Sequence, residues 1–153
     1  MKKTTCGFVL LFAFIPGIVS QSNQSIDTLL NEDPASFGST AVFILSASGM
    51  IEQDAPVESA MRAVALLNRR LGERDPLDPV RTGEFSLMVM RAFDLQGGIW
   101  YSITHSKRYA FRELAYLGFL ERKDGPFRRM SGEDVLSTLS RVVNWIEETE
   151  AQS

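Results

Sequence analysis

Between residues 36 and 148 the apolar positions fall three and four apart in five stretches, the spacing that makes one face of an α-helix apolar. The first stretch is Ser36 to Ser48, ended by Gly49. The second is Val57 to Leu71, with Val57, Met61, Val64, Leu67 and Leu71 on one face and Gly72 as its stop. The third is Gly83 to Leu95, with Thr82 as N-cap and Gly97-Gly98 behind it. The fourth, Lys107 to Leu120, turns Phe111, Leu114, Leu117 and Leu120 inward. The fifth runs from Gly132 to Glu148 on Val135, Leu139, Val142 and Ile146, and Ser131 with Asp134 has the spacing of a capping box. No stretch alternates with period two for long enough to build a sheet. The pattern predicts an all-α fold of about five helices in a domain over residues 36–150. Residues 23–35 are polar and turn-rich and read as a flexible N-terminal arm, with one weak helical turn at residues 26–30.

The N-terminus breaks this pattern. Lys2 and Lys3 precede an apolar run from Gly7 to Val19, and small residues, Ser20 and Ser22, follow it. That is the layout of a secretory signal, here residues 1–22, with cleavage expected between Ser20 and Asn23. A bilayer span takes about 20 apolar residues, and this run is shorter, so the chain meets a membrane only if the signal stays uncleaved. Export points to the periplasm or the cell surface. The one cysteine, Cys6, precedes the apolar run, whereas a lipidated cysteine would follow it. The mature chain therefore has no disulfide, thiolate metal site or cysteine nucleophile.

Charge narrows the partners. The full chain carries a formal net charge of −3. Losing Lys2 and Lys3 with the signal leaves 14 basic against 19 acidic residues, or −5. A nucleic-acid partner is not expected of such a chain. His105 is the only histidine, so no histidine metal cluster is possible, and no cofactor is implied. No nucleophile elbow, phosphate loop or calcium loop is present. Glu84 and Glu133 stand at helix starts, where capping accounts for them better than acid–base catalysis does. The expectation is a protein that is not an enzyme.

Part of the chain repeats. Ala60, Arg62, Ala65 and Leu67 recur as Ala110, Arg112, Ala115 and Leu117, each fifty residues on. Thr82-Gly83-Glu84 matches Ser131-Gly132-Glu133 forty-nine residues on. Two helix–loop–helix units follow, residues 57–95 and 107–148, with residues 36–49 as a fainter half unit. On this reading Leu67 and Leu117 are equivalent buried positions, each facing the longer helix of its own unit.

The stretch LGFLERKDGPFRRMSGEDVLSTLSRVV, residues 117–143, resembles the S-layer homology module. Asp124-Gly125-Pro126-Phe127-Arg128 matches that module's Gly-x-Phe-Arg loop, and Ser131-Gly132-Glu133 stands at its Thr-Arg-Ala-Glu-like helix start. The earlier unit offers Arg81-Thr82-Gly83-Glu84-Phe85 and Val89-Met90-Arg91-Ala92-Phe93. The segment GGIWYSITHSKRYAFRELAYLGFL, residues 97–120, is similar to the linker of exported proteins of this type in spirochaetes. The resemblance covers residues 57–146. It implies a helical spindle of modules around a shared axis, binding cell-wall polysaccharide or peptidoglycan-linked polymer. The chain departs from the family at the arginine of Thr-Arg-Ala-Glu, absent from both units; Arg81 and Arg129 lie nearby in shifted register. That departure motivates the alternative, a periplasmic structural or adaptor protein that binds another envelope protein.

The loop after residue 120 is the main candidate for chemistry. Asp-Gly-Pro makes a turn, and Phe127 is expected to fold back onto the helices as an apolar plug. Arg122, Lys123, Arg128 and Arg129 place four cations around it, enough to hold a phosphate or carboxylate by charge-assisted hydrogen bonds, or simply to solvate the loop. Trp100 and Tyr101 follow two glycines and suit either stacking on a sugar or burial between helices.

Overall fold

The computed structural model describes residues 19–152, with side chains from residue 25 onward. The described residues form α-helices and no strand: α1 (Val19–Leu30), α2 (Phe37–Ala47), α3 (Val57–Leu67), α4 (Arg69–Gly72), α5 (Thr82–Ala92), α6 (Ile99–Thr104), α7 (Lys107–Tyr116) and α8 (Gly132–Glu150), with a 3-10 turn at Arg122–Asp124. The fold is all-α, as the periodicity predicts. Of the expected signal, residues 1–18 lie outside the described residues, and the expected cleavage region falls at the start of α1.

The differences from the expected elements have local causes. The stretch from Val57 to Leu71 is split at Asn68, whose backbone is extended and whose Oδ1 accepts the Leu71 N–H at 3.1 Å. An asparagine that caps its own downstream turn competes with helix continuation. The α5 N-cap is Arg81 rather than Thr82. Glu84 Oε2 reaches back to accept the Arg81 N–H at 3.2 Å. α7 stops at Tyr116, not Leu120, because Gly118 turns left-handed and the Phe119 N–H closes on the Leu114 carbonyl at 2.9 Å. α5 ends the same way, with Asp94 as the left-handed residue and the Leu95 N–H on the Met90 carbonyl at 2.9 Å. Residues 23–35 are not a loose arm. α1 docks on α8 through Leu29, which is 1% exposed.

α5 is the centre of the molecule, buried at every residue from Thr82 to Met90. The chain closes around it by a ring of backbone hydrogen bonds. Val80 donates to the Ala35 carbonyl at 2.9 Å, Ala35 to Met130 at 2.8 Å and Met130 to Val80 at 3.1 Å. Each of these segments leads into a helix of the core, α2, α5 or α8. The next bonds run in the reverse cyclic order: Phe37 donates to Asp78, Thr82 to Arg128 and Gly132 to Glu32, at 2.8 to 2.9 Å. At Gly132 the approach leaves no room for a side chain; a Cβ there would lie 1.6 Å from the Leu29 carbonyl oxygen.

The helix partners follow this ring. α3 packs chiefly on α2, α7 on α5, and α1 on α8. α3 and α7 thus lie on the helices before them, α2 and α5, rather than on the longer helices after them as expected, and α1 closes the ring on α8. The matching positions also shift. Val80 and Met130, and the N-caps Arg81 and Ser131, are fifty apart. Glu84 and Asp134, not Glu133, each stand three residues after the cap and accept its N–H, at 3.2 and 3.3 Å. Ala60 and Ala110 are both fully buried, as are Val64 and Leu114. Leu67 is only half-buried and Leu117 is 39% exposed, so the expected pair is not the core pair. Phe127, expected as a plug, is 76% exposed.

Candidate functional site

Arg81, Glu84, His105 and Phe127, all singled out above, meet in one groove. It is about 620 Å³ and runs between the α3–α4 corner, the start of α5, the α6–α7 junction and the Pro126–Phe127 turn. Arg81 enters from the α5 N-cap and Phe127 from the turn. Asn68 makes the corner, and the short α4 that it starts delivers Arg69 and Arg70. Ser106 accepts the Tyr109 N–H to start α7, and so places Lys107 and Arg108 on the opposite wall.

Five cations therefore line a groove whose one carboxylate is Glu84. Glu84 is already engaged: its Oε1 takes Lys107 Nζ at 3.1 Å and pairs with Arg74 Nε at 3.3 Å. Arg69 pairs with Glu73 at 3.1 Å on the surface. Arg70, Arg81 and Arg108 have no ion pair among the described residues, and are available to an anion. Phe127 adds an exposed aromatic face at the rim. Such a surface holds a polyanion by charge-assisted hydrogen bonds and packs part of it against an apolar ring.

The other candidate cations are dispersed. Arg128 lies between Asp134, at 2.8 Å, and Asp124, at 3.2 Å. Burial works to raise the Asp134 carboxyl, but hydrogen bonds from Arg128 and Ser131 outweigh it and hold the carboxyl below its ordinary value. Lys123 bonds Glu121 at 2.6 Å, lowering the carboxyl and raising the ammonium. Arg129 is exposed and its backbone bridges to Arg81. Arg122 lies in a second hollow of about 520 Å³ with Trp100, Tyr109, Arg112 and Tyr116. There Trp100 stacks on Tyr109 at 6.3 Å, with Arg112 over the same tyrosine at 5.7 Å.

Tyr101 is separated from its neighbour Trp100. It is 4% exposed, and burial pushes its phenol up against the pull of Arg91. His105, at the α6 C-cap, lies edge-on to it at 5.4 Å. No group of three His, Cys, Asp or Glu among the described residues is placed to hold a metal ion.

Sequence reasoning missed Arg69, Arg70, Lys107 and Arg108. Arg69-Arg70 and Lys107-Arg108 are basic pairs legible in the chain. Their convergence depends on the Asn68 break and on α7 lying against α5, which no local pattern records. No family model, curated protein or solved structure matches the chain.

Proposed function

We propose that the chain is an exported, non-catalytic envelope protein that binds an anionic cell-wall polymer, polysaccharide or peptidoglycan-linked, in the groove between α4, α5 and α7. The observation that carries this reading is the reversal of charge: a chain of net −3 gathers five cations around one buried, already paired carboxylate. Three helix-leading segments joined in a cyclic ring also accord with the S-layer homology resemblance, as a degenerate spindle of three units. In that reading the groove compensates for the family arginine missing from the helix starts. Arg81 stands one residue before the α5 start, and α4 and α7 supply the rest of the charge.

Cosedimentation of the purified chain with isolated cell-wall sacculi tests this. Retention at low salt is expected, falling as salt shortens the Debye length below about 10 Å. Replacing Arg70, Arg81 and Arg108 together with alanine should abolish it. Retention no greater than that of an unrelated acidic protein would remove the polymer reading.

A second reading is a periplasmic adaptor for another envelope protein. The exposed apolar side chains of Ile99, Trp100, Ile103 and Tyr116 favour it, since they cluster on α6 and α7. Crosslinking in cells that recovers one stoichiometric protein and no polymer would select this alternative.

A further inference from the structure

The second hollow, of about 520 Å³, shares no lining residue with the cationic groove. Its volume falls within the roughly 300–1,000 Å³ of small-molecule sites. Its aromatic wall is braced and open at once. Trp100 on α6 lies 17° from the plane of Tyr109 on α7, with ring centroids 6.3 Å apart. Trp100 is nevertheless 64% exposed. Tyr116, two turns after Tyr109 on the same helix, lines the hollow too and is 76% exposed. An ordered aromatic face gains nothing by standing in water, and it marks where the apolar surface of a ligand would be covered.

The polar groups beside that wall are accessible and unspent. Arg112 is exposed, holds its guanidinium carbon 5.7 Å from the Tyr109 ring centroid, and makes no hydrogen bond or ion pair among the described residues. Glu113 is half-buried and makes no ion pair among them either. A Cβ on Gly98 would lie 3.0 Å from Glu113 Oε1, so the carboxylate sits against a glycine that is itself part of the lining. Arg122, on the 3-10 turn, is the third charged lining residue without an ion pair among the described residues. A simple anion would meet Glu113, and a simple cation would meet two guanidiniums. A wholly apolar ligand would cover charges and leave them without partners. An uncharged molecule with one apolar face and a rim of groups that both donate and accept satisfies all of them. A pyranose has that form: its axial C–H bonds make a flat apolar face, and its hydroxyls donate to a carboxylate while accepting from a guanidinium.

We infer that the hollow binds an uncharged pyranose unit of an oligosaccharide, stacked on Trp100, with its hydroxyls toward Arg112 and Glu113. This site does not rest on the polymer reading, because the cationic groove contributes no residue to it. The probes are chitotriose, cellotriose and maltotriose, with inorganic phosphate as the charged comparison. Each is titrated into the full chain to millimolar concentration and followed by the Trp100 indole N–H and the amides of residues 98–116.

Saturable shifts are expected with at least one of the three sugars and not with phosphate. Trp100→Ala should weaken sugar binding by about tenfold or more, through loss of the stacking face. Arg112→Met, which keeps an unbranched chain beside Tyr109, should weaken it about tenfold, the effect of losing a hydrogen bond to a charged group. Thermal unfolding checks that both variants fold, and Arg112→Met carries the test if Trp100→Ala does not. No saturable shift from any of the sugars would overturn the proposal. So would sugar binding that survives both substitutions, or phosphate held at these signals more tightly than any sugar. A protein crosslinked through Trp100 in cells, with no sugar bound, would give the hollow to the adaptor reading instead. Loss of sacculus retention with the sugar shifts intact would remove the polymer reading alone, and the reverse would remove this one alone.

Discussion

Glu84 and Glu133 read alike in the sequence, as acids in the first turn of a helix. The structure gives them opposite roles. Glu133 is exposed, whereas the Glu84 side chain is 3% exposed and holds Arg74, Lys107 and the Arg81 N–H together. Removing the buried carboxylate takes away the partner of Lys107 and leaves Arg74 with Asp78 alone. Glu84→Ala should cost about 3 kcal/mol, the low end for such a pair because Lys107 is partly solvated, and Glu133→Ala less than about 0.5 kcal/mol in urea denaturation. Equal effects would show that the Glu84 network contributes nothing. Arg128 and Arg129 also read alike, and both were expected to be free surface charges. Arg128 is bound to Asp124 and Asp134, so Arg128→Ala should cost about 1 kcal/mol and Arg129→Ala less than about 0.5 kcal/mol. The Arg128 contact with Asp134 has a pH signature. A carboxyl held low in the fold stabilises it above the unfolded value of about 3.9, and that stability is lost as pH falls through the folded value. The stability difference between wild type and Asp134→Asn should be flat near neutrality and shrink below about pH 4. A difference that grew on acidification would contradict the assignment. The sequence shows which residues carry charge. Which charges are already spent is decided by burial.

At the scale of elements, the five strongest helices were legible because their own residues supply the apolar face. Val64 in α3, Leu114 in α7 and Val135, Leu139 and Val142 in α8 are buried as their spacing predicts. α1 was not legible, since a segment rich in Ser, Asn and Gln offers almost no periodic signal. Among its described side chains Leu29 is the buried one, and its tertiary partner is α8. The same limit explains α6, where Tyr101 is buried while Ile99, Trp100 and Ile103 are exposed. If α1 is held as described, Leu29→Ala should cost about 2–5 kcal/mol by opening a cavity, despite its place in a polar segment. Gly132→Ala should be comparably damaging, because its Cβ would meet the α1 backbone rather than a side chain that can move. Thermal unfolding of both variants against Leu30→Ala checks this. Leu30 is exposed one position away and should leave the melting temperature nearly unchanged. If all three behave alike, α1 is not docked on α8.

At the scale of the molecule, what holds the helices together is a closed circuit. The fifty-residue spacing of Ala60 and Ala110 was readable, because a buried alanine at a helix crossing is constrained by close approach. The third member of the circuit was faint in sequence. Ala35, Val80 and Met130 are all buried apolar residues of different size and shape, and what places them together is a backbone N–H and C=O pointed at the next segment. For the same reason the match of Thr82-Gly83-Glu84 to Ser131-Gly132-Glu133 was one residue out of register, since it followed side-chain identity rather than the backbone bond. The groove inherits this difficulty: its cations come from elements that only the circuit brings together. Closure makes a prediction that side-chain packing alone does not. If the three segments depend on one another, none can open without breaking two of the three bonds. The amides of Ala35, Val80 and Met130 should therefore exchange only through global unfolding, with a common free energy equal to that from denaturation. An open chain of helix pairs would instead let Ala35, nearest the N-terminal end of the described core, exchange first by local opening. Native-state hydrogen exchange across low denaturant concentrations separates the two, because global opening carries the full denaturant dependence of unfolding and local opening carries little. Coincident curves for the three amides are expected, and an Ala35 amide that exchanges early with a shallow slope would mean the circuit does not act as one unit.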